Sequence, residues 1–212
     1  MISRRTIVAL ALASGLSAGF SFVTPVSAAM ADKDLAAVLR AGGLVIVMRH
    51  GATFANQADT DTGNFDDVAK QRNLDDKGKA QAAGFGEALR QIGVPVGDVY
   101  TSRLNRAYQT AVLAGLKDVQ KSVDFTEVGG MGVSPDENAR RNAALRKVIS
   151  TPPRAGTNTI IVTHKPNIID ALGKDWFDVK EAEASIFKPQ GESYALVAKV
   201  QADEWARIAA AK

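Results

Sequence analysis

Cysteine is absent from this chain of 212 residues, and histidine occurs only twice. The missing thiols exclude cysteine nucleophiles, disulfides and cysteine-based zinc sites, so the chain tolerates an oxidising compartment without making use of it. Two histidines without a clear third ligand argue against a histidine-based zinc site. The glycine-rich patterns G-x-x-x-x-G-K-[ST] and G-x-G-x-x-G are also missing, which leaves little support for a nucleotide-binding module.

The first 28 residues differ in composition from the rest of the chain. Arg4 and Arg5 precede an apolar run over about 7–23, and small residues leading to Ala28 complete the pattern of a secretory signal cleaved after that alanine. Serines and glycines inside the run weaken the alternative of a retained membrane anchor. The paired arginines fit a twin-arginine signal as well as an ordinary one, and both types stay open. We therefore predict a periplasmic or secreted protein with no stable membrane association after cleavage.

Net charge favours no particular partner once that segment is removed. Cleavage takes away two of the 26 basic side chains and none of the 23 acidic ones, so the formal net charge falls from +3 to +1. So small an excess does not favour nucleic acid or an anionic membrane, and any attraction for anions has to be local. The remaining 29–212 suffice for one domain with a proper core.

Strands and helices alternate along this remaining part, which predicts an α/β fold: a three-layer arrangement with a mostly parallel central sheet and helices on both faces. The two most apolar strands are predicted at 44–48 and 158–163. Further strands are predicted at 96–101, 122–128 and 194–200, and helices at 32–41, 73–92, 102–111, 135–150, 165–172 and 203–211. An aperiodic polar stretch over 54–72 predicts a long loop on the functional side of the sheet.

Both histidines directly follow the two most apolar strands. Arg49, His50 and Gly51 come after the first strand, and His164 comes after the second. Ligand sites in open α/β sheets lie beyond the carboxyl ends of the strands, so adjacent strands would bring both imidazoles to one cavity. A single histidine in such a place is more often structural, but two in matching positions favour a shared site.

A junction between a predicted strand and a predicted helix adds two arginines, Arg103 and Arg106, after Ser102 as the predicted helix cap. Free backbone N–H groups and guanidinium groups at such a junction predict an anion site. Guanidinium forks bind phosphate oxygens, and a neutral imidazole can attack phosphorus in line. The set therefore predicts phosphoryl chemistry that requires neither a metal nor a cofactor.

These motifs resemble those of the histidine phosphatase superfamily, in the branch that contains cofactor-dependent phosphoglycerate mutases and small phosphatases. The matching residues are Arg49-His50-Gly51, Asn56, Asn73-Leu74, Gly78, the R-A-x-Q-T core at 106–110, and Thr163-His164. The resemblance implies that His50 is the nucleophile and forms a phosphohistidine. The groups that it implies for holding the phosphoryl group are Arg49, Arg106, His164 and, as a helper, Asn56.

The sequence also departs from this family. Ala52 replaces the acid that often follows the Arg-His-Gly motif, and Lys165 stands where the acid phosphatase and phytase branch has aspartate. Arg103 stands where many relatives have proline, so a substrate contact and a solvated position both stay open. The general acid is unassigned: Glu127, at the end of the predicted third strand, is the candidate, and a surface carboxylate is the alternative. Lys165 and Arg103 are candidates for binding the rest of the substrate.

Together these features predict an exported phosphatase that hydrolyses phosphomonoesters or phosphohistidine through an intermediate on His50. Its expected partners are phosphorylated small molecules or phosphoproteins. A mutase is less favoured, because export separates the protein from glycolytic substrates. The alternative from another class is a non-catalytic protein of the same fold that binds phosphorylated ligands and has lost its acid.

Overall fold

The computed structural model describes residues 30–61, 63–127 and 134–212. The predicted signal segment at 1–28 lies outside these residues, so its prediction stays untested. Within them, no helix combines the length and the apolarity needed to cross a bilayer. The elements are α1 (Asp32–Ala41), β1 (Val45–Arg49), α2 (Asp76–Ile92), β2 (Val96–Ser102), α3 (Asn105–Leu113), β3 (Val119–Ser122), α4 (Pro135–Ser150), β4 (Asn158–Thr163), α5 (Lys165–Leu172), β5 (Ala184–Gln190), β6 (Ser193–Val200) and α6 (Trp205–Ala210).

The six strands form one sheet in the order β3-β2-β4-β1-β5-β6. The first four strands of this order run parallel to one another, and β5 and β6 are antiparallel to their neighbours. The predicted α/β fold with a mostly parallel sheet is therefore confirmed. The central position of β1 and β4 explains why they are the most apolar strands, since a strand covered on both faces exposes neither set of side chains.

Side chains of β1 alternate between two hydrophobic cores. Ile46 and Met48 pack among residues of α1, α2, α3 and α6, whereas Val45 and Val47 pack among residues of α4 and α5. All four side chains are buried, and each contributes roughly 1.5–3 kcal/mol by leaving water. Packing against helices on both faces thus holds β1 in place. The position of its carboxyl end in turn determines the position of His50, the next residue.

Several elements differ from the prediction, among them α2, which starts at Asp76 and not at residue 73. The third strand lies at Val119–Ser122, earlier than predicted, because Ser122 accepts a hydrogen bond from the Asp124 N–H and starts a short 3-10 turn. Helix α3 starts three residues after Ser102, which ends β2 and accepts a hydrogen bond from the Leu104 N–H. Strand β5 was not predicted, because its sequence, ASIFKPQ, has no alternating pattern and a proline within a run argues against a strand.

Candidate active site

The register between β1 and β4 brings the two histidines together. Arg49 lies opposite Thr163, and the His50 N–H donates to the Thr163 carbonyl oxygen at 3.0 Å, so each histidine is the next residue beyond a paired strand end. The ring centroids of His50 and His164 are 5.1 Å apart. Both residues are buried, with 2% and 0% of their surface exposed. The two imidazoles therefore share one end of the sheet, as their positions in the sequence predict.

A backbone carbonyl fixes the tautomer of His50. Its Nδ1 lies 2.7 Å from the carbonyl oxygen of Gly51, and because that oxygen can only accept, Nδ1 carries the proton and Nε2 carries the lone pair. Burial, together with the neighbouring His164 and the charge of Arg106, holds the pKa of His50 well below its usual range. At neutral pH the ring is therefore uncharged, which is the form that can act as a nucleophile.

Close backbone contacts hold the turn that follows His50. A Cβ on Gly78 would lie 2.0 Å from the Ala52 carbonyl oxygen, so only glycine permits this approach between the turn and the first turn of α2. The Gly51 N–H donates to Thr110 Oγ1 at 3.1 Å. Through Thr110, the R-A-x-Q-T segment thus positions the backbone beside His50, a role that the motif alone did not reveal.

Arg106 lies in the first turn of α3 and has only 1% of its side chain exposed. Its Nη1 donates to Asp59 Oδ1 at 3.0 Å, and its Nη2 donates to Glu127 Oε2 at 3.2 Å. The same Asp59 oxygen accepts the backbone N–H of Arg72 at 2.9 Å. A carboxylate from the long loop and a second one from Glu127 therefore bind the two ends of the guanidinium group. Asp59 belongs to the polar stretch at 54–72, and the sequence gave no signal for this contact.

Glu127 connects Arg106 to His164. Its Oε2 lies 3.2 Å from His164 Nδ1, but the two groups are not aligned as a hydrogen bond, and neither ring nitrogen of His164 has a hydrogen-bond partner within the described residues. Burial alone would raise the pKa of Glu127, but the contact with His164 and the charge of Arg106 outweigh it and lower that pKa. Burial lowers the pKa of His164. Arg106, Glu127 and His164 thus form a set of one buried cation, one partly exposed carboxylate and one buried, neutral imidazole.

The position of Glu127 differs in detail from the prediction. It lies beyond the 3-10 turn that follows β3, not at the end of that strand. The chain reaches the site there because the Arg103 N–H donates to Thr126 Oγ1 at 2.9 Å, and Arg141 Nη1 donates to the Thr126 carbonyl oxygen at 3.0 Å. These bonds hold the residue before Glu127 against the junction of β2 and α3.

A cavity of about 420 Å³ opens beside His50, a size that suits a small ligand. The residues lining it are Arg49, His50, Arg72, Glu127, Lys165, Pro166, Ile169 and Asp170. Arg49 Nη1 donates to the Val179 carbonyl oxygen at 2.9 Å, and its Nη2 lies 3.6 Å from Glu181 Oε1. Over the described ranges, no cluster of three or more histidine, aspartate or glutamate side chains is arranged to hold a metal.

Two predicted binding residues lie away from this cavity. Arg103 is turned towards the long loop, where its Nη2 lies 3.7 Å from Asp66 Oδ1 and its guanidinium carbon lies 4.8 Å from the centroid of the Phe65 ring. Asn56 is exposed on the loop after β1 and is not among the residues that line the cavity. Neither side chain is among the residues that line the cavity, and their contact with substrate stays a prediction.

Arg72 lines the cavity although sequence reasoning did not single it out. Its Nη1 donates to the hydroxyl of Thr53, and a short antiparallel bridge pairs Thr53 with Leu74. The chain therefore returns to the turn after His50 at Arg72. One feature of the sequence could have indicated Arg72: it directly precedes Asn73-Leu74, which is among the residues that resemble the family.

Comparison with known proteins agrees with this geometry. Residues 45–133 match the family model described as the histidine phosphatase superfamily (branch 1). Over this segment the chain is similar to the histidine phosphatase superfamily. Its curated relatives include the 2,3-bisphosphoglycerate-dependent phosphoglycerate mutases of Corynebacterium glutamicum and Corynebacterium diphtheriae, each 42% identical over 72 residues, or 34% of this chain. The match spans only 27% of the length of those mutases.

Solved structures of the superfamily share the fold. The protein histidine phosphatase SixA, complexed with tungstate, matches with a TM-score of 0.53 and 17% identity over 76% of this chain and 98% of that one. A mycobacterial glucosyl-3-phosphoglycerate phosphatase, complexed with VO3, matches with a TM-score of 0.53 and 17% identity over 73% of this chain and 97% of that one. At such identities the likeness concerns the fold alone.

The two buried histidines make the stability of this protein depend on pH. Because burial lowers the pKa of His50 and His164, the unfolded chain takes up protons below the usual value of 6.5 where the folded chain does not, so stability is lost as the pH falls. The lowered pKa of Glu127 acts in the same direction, but only below its usual value of 4.5. We expect each histidine to remove roughly 1–2 kcal/mol of unfolding free energy between pH 7 and pH 5.

Urea unfolding of the wild type and of His164→Gln at these two pH values measures this effect. The variant has one buried histidine fewer, so its unfolding free energy should fall less than that of the wild type. Between pH 7 and pH 8, where neither histidine titrates, both proteins should keep a constant stability. An equal fall in the two proteins on acidification would contradict the assignment of a neutral, buried His164.

Proposed function

We propose that this protein is a phosphatase that hydrolyses phosphomonoesters through a phosphohistidine on His50. The observation that carries the proposal is the neutral His50 ring, whose Nδ1 is bound to the Gly51 carbonyl oxygen while Nε2 keeps its lone pair. The likeness in fold to the phosphatases named above supports hydrolysis. The cations beside the ring, Arg49 and Arg106, supply the positive charge that a phosphoryl group needs.

In the first step, His50 Nε2 attacks phosphorus and an N–P bond forms while the P–O bond to the leaving group breaks. The electron pair of that bond goes to the leaving oxygen. Arg49, Arg106 and His164 hold the non-bridging oxygens and stabilise the charge that develops on them. Since Asp59 and Glu127 bind both terminal nitrogens of Arg106 in this structure, a phosphoryl oxygen has to share or replace one of these contacts.

In the second step, water attacks phosphorus, the N–P bond breaks, and inorganic phosphate leaves. Glu127 is ionised at neutral pH, because its pKa is lowered, and so it accepts the proton of the attacking water. Glu127 can protonate the leaving group in the first step only if it is itself protonated. The bound phosphoryl dianion would therefore have to raise the pKa of Glu127 again. Aryl phosphates and phosphohistidine, whose leaving groups need little protonation, are therefore the favoured substrates.

Hydrolysis of para-nitrophenyl phosphate by the purified protein in the presence of EDTA tests this proposal. We expect nitrophenol and inorganic phosphate to be released in equal amounts, at a rate that the chelator does not change, because the groups proposed to react are side chains of the chain itself. Binding of phosphate esters without any release would instead identify a non-catalytic phosphoester-binding protein. A rate that EDTA abolishes would contradict the metal-independent route.

A mutase is the second candidate, because the curated relatives that match 72 residues of this chain are phosphoglycerate mutases. The same phosphohistidine would then pass its phosphoryl group to an organic hydroxyl and not to water. Isotopically labelled phosphoryl substrate separates the two activities. A phosphatase places the label in inorganic phosphate, whereas a mutase returns it to an organic ester.

We further propose that the protein is exported to the periplasm or secreted, and that 29–212 form a single domain. The support for export is the signal-like composition of residues 1–28, with its paired arginines, its apolar run and its small residues before Ala28. The shared sheet and the two cores that flank it support a single folded unit for the described residues.

A further inference from the structure

The peptide group between Gly51 and Ala52 has hydrogen bonds on both of its polar atoms. Its carbonyl oxygen, that of Gly51, lies 2.7 Å from His50 Nδ1 and accepts the proton that this nitrogen carries. Its N–H, that of Ala52, donates to Gln81 Oε1 at 2.9 Å. Because a peptide unit is planar and rigid, a bond to one of these atoms also fixes the direction of the other. The side chain of Gln81 therefore acts on the hydrogen-bond acceptor of His50 through a single peptide plane.

The first turns of α2 hold Gln81 at this place. A Cβ on Gly51 would lie 2.6 Å from the carbonyl oxygen of Gly78, so the backbones of the helix and of the turn after His50 are in direct contact. Residues three apart are neighbours on one face of a helix, so Gln81 lies next to Gly78 on the side that meets the turn. The backbone N–H of Asp75, the N-cap of α2, donates to the Ala52 carbonyl oxygen at 3.2 Å. The start of α2 is thus bound to the turn at several points.

The bond from Thr110 does not serve the same purpose as the bond to Gln81. Thr110 Oγ1 accepts the N–H of Gly51 at 3.1 Å, and this N–H belongs to the preceding peptide group, between His50 and Gly51. The oxygen that faces His50 Nδ1 belongs to the next peptide group. Glycine restricts rotation about its backbone bonds less than any other residue, so the first peptide does not fix the second. The contact between Ala52 and Gln81 supplies this restriction.

The direction of the Gly51 carbonyl decides which nitrogen of His50 can react. A neutral imidazole carries its proton on one nitrogen and its lone pair on the other. If the peptide turned away, Nδ1 would lose its acceptor, and the tautomer with the proton on Nε2 would compete. In that tautomer Nε2 has no lone pair for an attack on phosphorus. A hydrogen bond that a peptide donates also strengthens the one that its carbonyl accepts, so the amide of Gln81 both orients and strengthens the acceptor.

We propose that Gln81 is a positioning residue for His50: its amide oxygen holds the Gly51–Ala52 peptide so that the proton of His50 stays on Nδ1 and the lone pair on Nε2. Gln81 acts only through this peptide and forms no bond to the substrate. The inference rests on the proposed function in one respect, because it assumes that Nε2 is the attacking atom. The tautomer of His50 is nevertheless a property of the protein alone and can be measured without turnover.

Nitrogen NMR of the imidazole rings tests this proposal. Long-range proton–nitrogen correlations distinguish a protonated ring nitrogen from one with a lone pair, and because the chain has only two histidines, His164→Gln assigns their signals. At neutral pH the wild type should show His50 with its proton on Nδ1 alone. Gln81→Leu should show the proton on Nε2 in roughly a tenth of the molecules or more, since the buried Ala52 N–H loses its acceptor. The wild-type signals in a folded Gln81→Leu protein would overturn the inference.

Further variants separate the amide oxygen of Gln81 from the rest of α2. Gln81→Glu keeps an acceptor oxygen at the same reach and should retain the wild-type tautomer, whereas Gln81→Ala removes the oxygen, keeps a strong helix former and should resemble Gln81→Leu. The matched control is Gln91→Leu on the same helix, where the exposed Gln91 Nε2 donates to Glu87 Oε1 at 2.9 Å. It should leave the His50 signals unchanged. A second tautomer of equal size in Gln81→Glu or in Gln91→Leu would also overturn the inference.

Steady-state kinetics with para-nitrophenyl phosphate separates failure of this inference from failure of the proposed function. Gln81→Leu should lower kcat by roughly tenfold and change KM by less than about twofold, because the ring is less often reactive and less well oriented while the groups proposed to hold the phosphoryl group are unchanged. A second tautomer without hydrolysis by any of the proteins would keep the role of Gln81 and reject the phosphatase. Hydrolysis by the wild type, with the same kcat and the same His50 signals in Gln81→Leu, would keep the phosphatase and reject the role of Gln81.

Discussion

Replacement of His50 by alanine is expected to lower phosphate release by about 10,000-fold or more, because it removes the atom that attacks phosphorus in the proposed mechanism. The neighbouring cations would still bind the phosphoryl group, so the loss should fall on kcat and leave substrate binding largely intact. The measurement is the steady-state rate with para-nitrophenyl phosphate, combined with quenching in alkaline detergent, in which phosphohistidine survives, after mixing with labelled substrate. Wild-type protein should retain label on the peptide that contains His50, and the variant should retain none.

The second histidine provides the matched control for this experiment. His164 is equally buried and lies beside His50, but in the proposed mechanism it binds an oxygen of the phosphoryl group and forms no bond to phosphorus. His164→Gln should therefore react slowly and still retain label on His50. Near-ultraviolet circular dichroism would establish that both variants fold. Turnover or labelling that survives in His50→Ala would remove the phosphohistidine mechanism.

Replacement of Arg106 by methionine is expected to lower kcat/KM by about 1,000-fold. The guanidinium group is buried, and in the proposed mechanism its charge acts on the phosphoryl group from a position where it is poorly screened by water. Its removal also leaves the carboxylates of Asp59 and Glu127 without their shared cation, and these would then repel a phosphoryl dianion. Steady-state kinetics with para-nitrophenyl phosphate measures the loss.

Arg103 offers a control three residues earlier in the same segment. Its guanidinium group contacts Asp66 and Phe65 at the long loop, whereas that of Arg106 contacts Glu127, so Arg103→Met should reduce kcat/KM by less than about fivefold. Arg106→Lys keeps a charge but cannot reach both carboxylates, and an intermediate loss is expected. Comparable losses in Arg103→Met and Arg106→Met would contradict the assignment of Arg106 to the site.

The sheet and the helices could be predicted from the sequence where hydrophobic burial dictates the pattern. Strand β4 and helices α1, α4 and α5 have the predicted bounds, because their apolar positions repeat regularly and Gly42, Pro152 or Gly173 stands near their ends. The prediction was wrong for β3 and missed β5, where a polar sequence or an internal proline hides the strand. Pairing across the sheet stabilises these segments, and no local pattern records such pairing.

The residues of the candidate site also fall into two groups, those that the sequence could predict and those that it could not. His50, His164, Arg49 and Arg106 are found at the ends of strands and at a helix start, positions that their own neighbours in sequence define. The contacts of Asp59 and Arg72 depend on the path of the long loop, in which no periodic pattern fixes the backbone. The side chain of Arg103 was ambiguous for a similar reason, since a residue at a helix start can point to either side.

The sequence by itself determined the alternation of strands and helices, the strand-end positions of both histidines and the motifs that they share with the histidine phosphatase superfamily. Only the tertiary structure decided the pairing of Arg49 with Thr163, the placement of Asp59 and Glu127 on Arg106, and the presence of Arg72 and Lys165 in the lining of one cavity. The reason is physical: hydrophobic periodicity and motifs act over a few residues, whereas strand register and the neutralisation of charge depend on groups far apart in the chain.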